Sequence, residues 1–425
     1  MNHHQPNIFI TKRFFPLFLT QFSSALNDNL LKNAMIVLLT FQTTQWSELA
    51  PEILANISAA VFILPFFLFS AIAGQLADKF DKAQLTRIVK LIEIAVVIIA
   101  GVGLLIHSLI VLMFSLFLLG SHSALFGPIK YAILPQHLKP NELLSANAMI
   151  QASTFTAILV GTLLGGLLAS TTSATTITLT GLIIAILGYL ASCYIPPATP
   201  STSKLDLRLN PITATWHTIK LSLTDQKVFR SILAISWFWF YGALLITQFP
   251  AYTKTVLNGD ETVVTLLLIV FTLGVGIGSL TYKYIARINI DSTIMTIAIV
   301  GLTIFGFNLY IISPEIQSNL MLLGLSSLLS TTTNWYILAD LMLIGVFGGL
   351  LIVPLYTTLQ ELSNPAFRAR IIAANNIFNA LFMVIGAVVT SALLVLGLSI
   401  SEIFGLIALC NIWLIFITQG LSQKK

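Results

Sequence analysis

The sequence predicts an all-α membrane protein with about twelve membrane-spanning helices arranged as two six-helix halves. Three observations predict it: the composition, a regular series of long apolar runs, and polar motifs that recur half a chain apart. The chain has 425 residues, of which 56% are hydrophobic and 9% charged, and its mean hydropathy is +0.93. Because ordinary soluble domains carry about 25% charged residues, a chain this apolar needs lipid as its solvent.

The apolar runs are bounded by charged or turn-forming residues and are long enough to cross a bilayer, which takes about 20 residues. In the first half they occupy residues 14–41, 52–75, 84–106, 109–132, 143–170 and 176–195. In the second half they occupy residues 229–256, 262–285, 291–312, 336–361, 367–396 and 399–419. A further stretch, 320–330, is too short to span and is expected to extend a neighbouring helix or lie at the interface. The first run is too long and too polar for a cleavable signal peptide, so it is expected to be the first span.

Charged residues between the runs predict the orientation. With an even number of spans and both termini in the cytoplasm, nearly all bases fall on the cytoplasmic side, as the positive-inside rule requires. These bases are Lys12, Arg13, Lys79, Lys82, Arg87, Lys90, Lys130, Lys139, Lys204, Arg208, Lys220, Lys227, Arg230, Lys283, Arg287, Arg368, Arg370, Lys424 and Lys425. The opposite loops carry Glu48, Glu52, Asp260, Glu261, Glu315 and Glu402, with Lys254 as a basic exception. We therefore expect a multi-pass protein of the bacterial inner membrane.

A polar segment at mid-chain divides the sequence. Residues 196–228 begin Pro-Pro-Ala-Thr-Pro-Ser-Thr-Ser and continue as a mixture of charged and polar residues. Proline and hydroxyl residues in such a cluster do not continue a span. The segment is predicted to be a cytoplasmic linker between an N-terminal six-helix bundle, residues 1–195, and a C-terminal six-helix bundle, residues 229–425.

Polar motifs in the two halves resemble each other. Pro128 opens Pro-Ile-Lys-Tyr, and a polar turn then leads to an Ala-Asn pair at Asn147. Pro354 opens Pro-Leu-Tyr, and a polar turn leads to the Ala-Asn pair at Asn375. Parallel six-helix repeats with the substrate bound between them are the arrangement of the major facilitator superfamily. The Ala-Asn pairs give the fifth and eleventh predicted spans equivalent polar faces, so Asn147 and Asn375 are predicted to line a substrate pathway.

The loop after the second predicted span carries a recognisable motif. It reads Gly74-Gln-Leu-Ala-Asp78-Lys79-Phe-Asp81-Lys82 and resembles the signature loop of the same superfamily. The glycine is expected to let two helix ends approach closely. The resemblance implies that the acids and bases form a charge lock with the partner half when the cytoplasmic side is shut, so this loop is the predicted gate.

Ionisable residues at bilayer depth are functional candidates because burying them is costly. Asp28 lies about 21 Å along the first predicted span at about 1.5 Å per residue, which is near mid-membrane. Lys32 follows at i+4 on the same face and is able to pair with Asp28; Asn29 and Asn33 stack one turn apart. A purely structural pair is the alternative, but the flanking asparagines favour a binding role for Asp28, Asn29 and Lys32.

Other polar residues in the spans have less specific interpretations. Lys90 and Glu93 are one turn apart and are interpreted as a structural pair, and His122 as a hydrogen-bonded packing residue. Lys130 is expected to meet an anionic headgroup, either of ordinary lipid or of substrate. Within the seventh predicted span, 229–256, the stretch from Trp237 to Tyr252 is aromatic and offers only Thr247 and Gln248 as polar contacts. One polar wall and one aromatic wall suit an amphiphilic substrate.

The chain resembles the lysophospholipid transporter family of the major facilitator superfamily. Four segments carry the resemblance, beginning at Arg13, Gly74, Phe126 and Arg370 and including Asn27-Asp-Asn-Leu-Leu-Lys-Asn. The resemblance is greatest to members fused to, or encoded beside, a lysophospholipid acyltransferase with an acyl-carrier-protein synthetase domain. It implies inward movement of lysophospholipids across the inner membrane for reacylation, with Asp28 and Lys130 reading the headgroup. Where stand-alone members carry an arginine in the seventh span, this chain has Gln248, and Lys32 is the candidate for the compensating charge.

Other function classes are less well supported. A proton-coupled exporter of small amphiphilic solutes or drugs is the main alternative, although Gly161-Thr-Leu-Leu-Gly165-Gly lacks the Gly-Pro ending typical of such antiporters. An acyltransferase would use His-x-x-x-x-Asp, and His137 has only Glu142 at that spacing, in a short turn. A non-transporting membrane anchor gains nothing from a buried Asp28.

The sequence predicts no cofactor and no nucleic-acid partner. No nucleotide-binding loop is present, and Cys193 and Cys410 lie in apolar runs without the spacing of a metal or disulfide site. The net charge of +5 reflects loop topology rather than nucleic-acid binding. We expect a monomer with no catalytic or metal site, whose partners are membrane lipid and a lysophospholipid substrate. The family resemblance implies an acyltransferase as a further partner.

Overall fold

The computed structural model describes residues 8–41, 46, 51–285, 291–314 and 322–421. Some residues used to predict the orientation, namely Glu48, Arg287, Glu315, Lys424 and Lys425, lie outside the described residues, as do the side chains of Glu52 and Lys283. The termini, whose cytoplasmic location is predicted, lie outside them as well.

The first half of the chain forms six long helices and one shorter helix. They are α1 (Phe15–Phe41), α2 (Pro51–Lys79), α3 (Lys82–Leu105), α4 (Leu109–His137), α5 (Pro140–Thr171), α6 (Ala174–Cys193) and α7 (Pro211–Ser222). A 3-10 turn, Ile8–Ile10, precedes α1. Side-chain caps begin several helices: Asp81 accepts from Gln84 N at 2.9 Å before α3, and Ser108 accepts from Val111 N at 3.4 Å before α4.

The second half of the chain is also helical. It contains α8 (Gln226–Thr255), α9 (Glu261–Ile285), α10 (Asp291–Ile312), α11 (Leu325–Leu329), α12 (Thr332–Leu362), α13 (Arg368–Val395), α14 (Ile400–Cys410) and α15 (Trp413–Thr418), with a 3-10 turn at Pro365–Phe367 before α13. The apolar stretch 320–330 therefore contains a five-residue helix rather than a span. The last predicted span, 399–419, is divided at Asn411, whose side chain accepts from Trp237 Nε1 at 2.7 Å.

Eleven helices in the described part of the chain are long and apolar enough to cross a membrane, the last comprising α14 and α15 together. α1 is 27 residues long but is not among the eleven; Gln21, Asn27, Asp28 and Lys32 lower its apolar content. With α1 added, the helices match the predicted set closely; for example, the predicted run 109–132 is observed as Leu109–His137. The predicted fold class is confirmed, and the chain is a multi-pass membrane protein.

The chain forms two compact units. The first contains residues 1–146, 157–225 and 360–377, and the second contains residues 147–156, 226–359 and 378–425. Residues 147–156 and 360–377 thus group with the opposite half of the sequence. The three-part division at 1–195, 196–228 and 229–425 stays a prediction.

The core of the first unit is built from α1, α3, α4 and α6. Leu31, Met35, Val97 and Leu116 belong to its main apolar cluster and are almost completely buried. α5 joins this core through Gly161, where an added Cβ would lie 2.9 Å from Asn29 Cβ. The absence of a side chain at this glycine lets α5 lie directly against the polar stretch of α1.

The predicted linker contains α7, which packs against α2 within the first unit. Asn210 caps the helix by accepting from Ile212 N at 3.0 Å, and Pro211 occupies its first turn, as helix starts favour. Ala214 is buried, and Trp216 is exposed. The helix therefore covers part of α2 and leaves an aromatic side chain on the surface.

Candidate functional site

The polar stretch of α1 lies inside the first unit. Asn29 Nδ2 donates to Ala25 O at 2.8 Å, and Asn33 Nδ2 donates to Asn29 O at 2.8 Å, so both amides fold back onto their own helix. Asn33 also donates to Thr162 Oγ1 on α5 at 3.1 Å. The Asp28 side chain keeps 14% of its surface exposed. An ionisable side chain in a membrane-spanning helix is a functional candidate, because burying it is costly.

The partners of Asp28 come from α4. Ser123 Oγ donates to Asp28 Oδ2, and His122 Nδ1 lies 3.7 Å from Asp28 Oδ1. The sequence predicts that Lys32 is able to pair with Asp28, but Lys32 Nζ instead donates to Asn29 Oδ1 at 3.2 Å and lies 5.2 Å from the Phe62 ring centre. The reason is geometric: the α1 polar face turns toward α4, where His122 and Ser123 take the carboxylate.

A second carboxylate lies behind His122. Glu93 on α3 is fully buried, and its Oε2 is 3.0 Å from His122 Nε2. Lys90 makes an ion pair with the same oxygen, and Asn27 Nδ2 donates to Glu93 Oε1 at 2.9 Å. The sequence suggests a hydrogen-bonded packing residue at His122, and the structure adds that its ring lies between two acids from different helices. The Lys90–Glu93 pair is present, but as part of this larger cluster.

Two lysines surround the acid at longer range. Lys32 and Lys130 each interact electrostatically with Asp28. Lys130 Nζ lies 5.0 Å from the Tyr131 ring centre, and its side chain is partly exposed. The structure therefore brings Asp28, Asn29, Lys32 and Lys130 together in one polar region of the first unit.

The predicted gate loop makes a compact set of contacts in the first unit. An added Cβ on Gly74 would lie 2.8 Å from Ala373 Cβ and 2.9 Å from Arg370 Cα, so only glycine permits this approach of α2 to α13. Asp78 is completely buried; its Oδ2 accepts from Arg370 Nε at 2.9 Å and its Oδ1 from Ala369 N at 3.1 Å. A bidentate arrangement of charged and backbone donors holds this carboxylate firmly.

The remaining gate residues contact the linker or solvent. Asp81 Oδ2 accepts from Ala198 N at 2.8 Å, and Lys82 Nζ donates to Ser201 Oγ at 3.1 Å. Lys82 is almost fully buried, whereas Lys79 is partly exposed and lies 5.9 Å from the Phe80 ring centre. The linker is therefore fastened to the gate loop rather than merely connecting two bundles.

The second unit has an aromatic interior. Trp239 on α8 stacks on Phe155 with ring centres 5.7 Å apart and donates from Nε1 to Tyr356 OH at 3.0 Å. Gln248 is partly exposed on the same helix. Asn147 is buried and donates to Thr357 Oγ1 at 3.1 Å. Two predicted site residues, Gln248 and Asn147, thus belong to this unit.

Asn375 belongs to the first unit, although the repeat makes it the counterpart of Asn147. Its side chain is completely buried, and neither amide atom has a hydrogen-bond partner among the described residues. A buried amide without partners is unfavourable in an apolar interior. The role of Asn375 in a substrate pathway stays a prediction.

Sequence reasoning missed one buried acid. Asp340 on α12 is 4% exposed and accepts from Asn308 Nδ2 on α10 at 2.8 Å. Its position in the sequence could have revealed it, because Asp340 lies inside the predicted apolar run 336–361, where an acid is unusual. The link from Asp28 through His122 to Glu93 had no such signal, because it depends on how three helices are rotated about their axes.

A family model described as the Major Facilitator Superfamily matches residues 17–387. The chain is also 26% identical over 347 residues to a protein named lysophospholipid transporter LplT from Yersinia pestis (strain Pestoides F), covering 80% of this chain and 76% of that one. A protein of the same name from Yersinia pseudotuberculosis (serotype O:3, strain YPIII) matches with the same identity and coverage. The predicted resemblance to this transporter family is confirmed, and the relatives are named as transporters rather than enzymes.

Solved structures show the same fold. A human organic anion transporter, MFSD10, has a TM-score of 0.74 at 14% identity and covers 96% of this chain and 99% of its own. A bacterial homologue of the iron transporter ferroportin has a TM-score of 0.71 at 16% identity, covering 96% and 98%. The transporter FucP has a TM-score of 0.74 at 11% identity, covering 97% and 100%. These similarities establish the fold alone.

Proposed function

Because the chain belongs to the Major Facilitator Superfamily and is a membrane transporter, we propose that it moves lysophospholipids across the membrane. The Yersinia relatives named lysophospholipid transporters support this substrate class. The observation that carries the proposal is the partly exposed Asp28 carboxylate, which lies within electrostatic range of Lys32 and Lys130. A region with both signs of charge suits a zwitterionic headgroup.

The headgroup of lysophosphatidylethanolamine fits this region chemically. Its ammonium group would bind Asp28, and its phosphate would bind Lys32 and Lys130. Charge-assisted hydrogen bonds of this kind are roughly twice as strong as neutral ones. Asn29 accepts from Lys32 and thereby restrains the lysine that would receive the phosphate.

The second unit offers a different kind of surface. Its aromatic interior, with Trp239 stacked on Phe155, suits an acyl chain, since aromatic rings present large apolar areas. The family resemblance implies an arginine in the seventh span where this chain has Gln248, and we assign Gln248 a minor role in headgroup selection. Asn147 and Asn375 are proposed as polar groups along the pathway.

Transport requires alternating access, and the gate loop supports such a mechanism. Asp78 holds Arg370 and Ala369 next to the close approach at Gly74. Breaking this lock would free the end of α2 from the start of α13. We propose that it forms when the cytoplasmic side is shut, with Asp81 and Lys82 holding the linker in place. Lys79 is proposed as an exposed member of the same gate.

The direction of transport is proposed to be inward. The positive-inside rule places the loops rich in lysine and arginine in the cytoplasm, which puts the gate loop on that side of a bacterial inner membrane. Lysophospholipids would be delivered by this flippase, acting as a monomer, to the cytoplasmic leaflet for reacylation by an acyltransferase with an acyl-carrier-protein synthetase domain.

The test is a flux assay with the purified protein in liposomes. Labelled lysophosphatidylethanolamine, lysophosphatidylglycerol, diacyl phosphatidylethanolamine and the cationic dye ethidium are added outside, and albumin extracts whatever remains in the outer leaflet. We expect the two lysolipids to become protected from extraction at least about tenfold faster than in protein-free liposomes, with diacyl lipid and dye at background. Dye movement without lysolipid movement would contradict the proposal and indicate a drug exporter.

A further inference from the structure

His122 occupies an unusual place in the first unit. Its ring is completely buried, with Nε2 3.0 Å from Glu93 Oε2 and Nδ1 3.7 Å from Asp28 Oδ1. Neither nitrogen makes a well-directed hydrogen bond within the described part of the chain. A buried imidazole that only packs would be expected to satisfy at least one nitrogen. Its position between two carboxylates points instead to an electrostatic role.

The charged surroundings of this ring come from a few helices. The helices packed against α4 in the described part of the first unit include α1, α2 and α3. The start of α13 meets α4 at Gly127, and Gln360 at the end of α12 donates to Tyr131 O at 3.0 Å. The ionisable side chains that these helices and α4 place here are Asp28 and Lys32 on α1, Lys90 and Glu93 on α3, and Lys130 on α4. The sequence of α2 contains no ionisable residue between residues 56 and 77.

Among these groups, His122 is the one that lies within ion-pair distance of Asp28. Lys90 and Glu93 form an ion pair whose charges cancel. Lys32 donates to Asn29, and Lys130 lies by Tyr131, so the ion-pair partner of Asp28 among the described residues is His122. An imidazole has a positive charge only when protonated.

We propose that His122 is a proton-binding site that competes with the cationic part of the headgroup for the Asp28 carboxylate. This inference rests on the proposed transport of lysophospholipids and specifies how the same site selects among them. With a proton bound, the imidazolium faces Asp28 and neutralises it. Without the proton, the full negative charge of Asp28 is available to an ammonium group arriving from its exposed side, while His122 remains buried behind it.

The competition predicts a pH dependence that differs between headgroups. Lysophosphatidylethanolamine carries an ammonium group, so its KM should rise as the pH is lowered through the range in which His122 gains its proton, by up to about tenfold per pH unit. Lysophosphatidylglycerol has no ammonium group, and its KM should change less than twofold over the same range. A general pH effect on the protein would change both substrates together.

The experiment measures KM for both lysolipids at several pH values in liposomes containing the full chain. In His122→Gln, the rise in KM for lysophosphatidylethanolamine at low pH should disappear. His217→Gln is the matched control: this histidine lies on α7, outside the spans, where burial and then the nearby Arg208 lower its pKa. The control should keep the profile of the unmodified protein.

A second measurement uses the unmodified protein in detergent, so it does not depend on the folding of a variant. Adding lysophosphatidylethanolamine at pH 6.5 in weak buffer should release protons, detected with a pH indicator dye, whereas lysophosphatidylglycerol should release none. Equal release with both lipids, or an unchanged pH profile in a folded His122→Gln protein, would overturn the inference and leave the proposed transport intact. If the unmodified protein moves neither lysolipid at any pH, the proposed function fails, and the inference fails with it.

Discussion

The two compact units differ in what they keep inside. The first unit contains a charged cluster from three helices, in which His122 lies within ion-pair distance of both Asp28 and Glu93. The second unit contains rings, such as Trp239 stacked on Phe155, and its buried acid Asp340 is matched by a neutral amide, Asn308. Helices from one sequence, with related polar motifs, have thus built two chemically different interiors.

The difference follows from the cost of burying charge. An isolated ion inside a low-dielectric interior is strongly unfavourable, so each buried charge needs partners. In the first unit, Glu93 has Lys90, His122 and Asn27 around it. Asp28, by contrast, keeps part of its surface exposed and has fewer partners. Glu93 thus has more polar partners than Asp28, and Asp28 is the more accessible of the two acids.

The largest effect is expected from removing Asp28, the partly exposed acid of the first unit. Asp28→Ala should lower lysophosphatidylethanolamine uptake by roughly 100-fold, because losing one partner of a poorly solvated charge pair costs about 2–5 kcal/mol. Uptake into spheroplasts, normalised to the amount of protein in the membrane, measures it. Asp206→Ala, which removes an exposed acid from the linker, is the control and should transport normally. Unchanged uptake by the Asp28 variant would remove the charged unit from the substrate pathway.

An intermediate effect is expected at the gate loop of the same unit. Asp78→Asn weakens the bond to Arg370 Nε while keeping the shape of the side chain. A charged hydrogen bond contributes about 1.5–3 kcal/mol, so we expect the maximal rate to fall about tenfold, with KM changed less than twofold. Initial rates over a range of lysolipid concentrations separate the two parameters. A change confined to KM would mean that Asp78 belongs to the binding site instead of the lock.

The smallest effect is expected from the polar residue of the aromatic unit. Gln248→Ala should change the ratio of lysophosphatidylethanolamine to lysophosphatidylglycerol uptake by about three- to fivefold, as expected for one neutral hydrogen bond. Total uptake should fall less than twofold. Competition between the two labelled lipids in one vesicle preparation measures the ratio directly. A loss as large as that of Asp28→Ala would contradict the division of roles between the two interiors.

Much of the architecture could be predicted because it depends on local properties. Whether a stretch such as 109–132 crosses the bilayer depends on its own length and apolarity, and the structure has a helix there, Leu109–His137. The polar character of α1 was equally visible around Asp28. The break at Asn411 was not predicted, because it involves a hydrogen bond from Trp237, which is distant in the sequence.

The sequence by itself determined that this chain is a helical membrane protein of the Major Facilitator Superfamily and that an acid lies deep in its first helix. Only the tertiary structure decided that Asp28 meets His122 rather than Lys32, that Glu93 lies behind the same ring, and that Asp78 meets Arg370. Hydropathy is a property of neighbouring residues, whereas these pairings depend on the rotation and depth of separate helices. Those are set by packing of the whole unit, including glycine contacts such as Gly161 against α1.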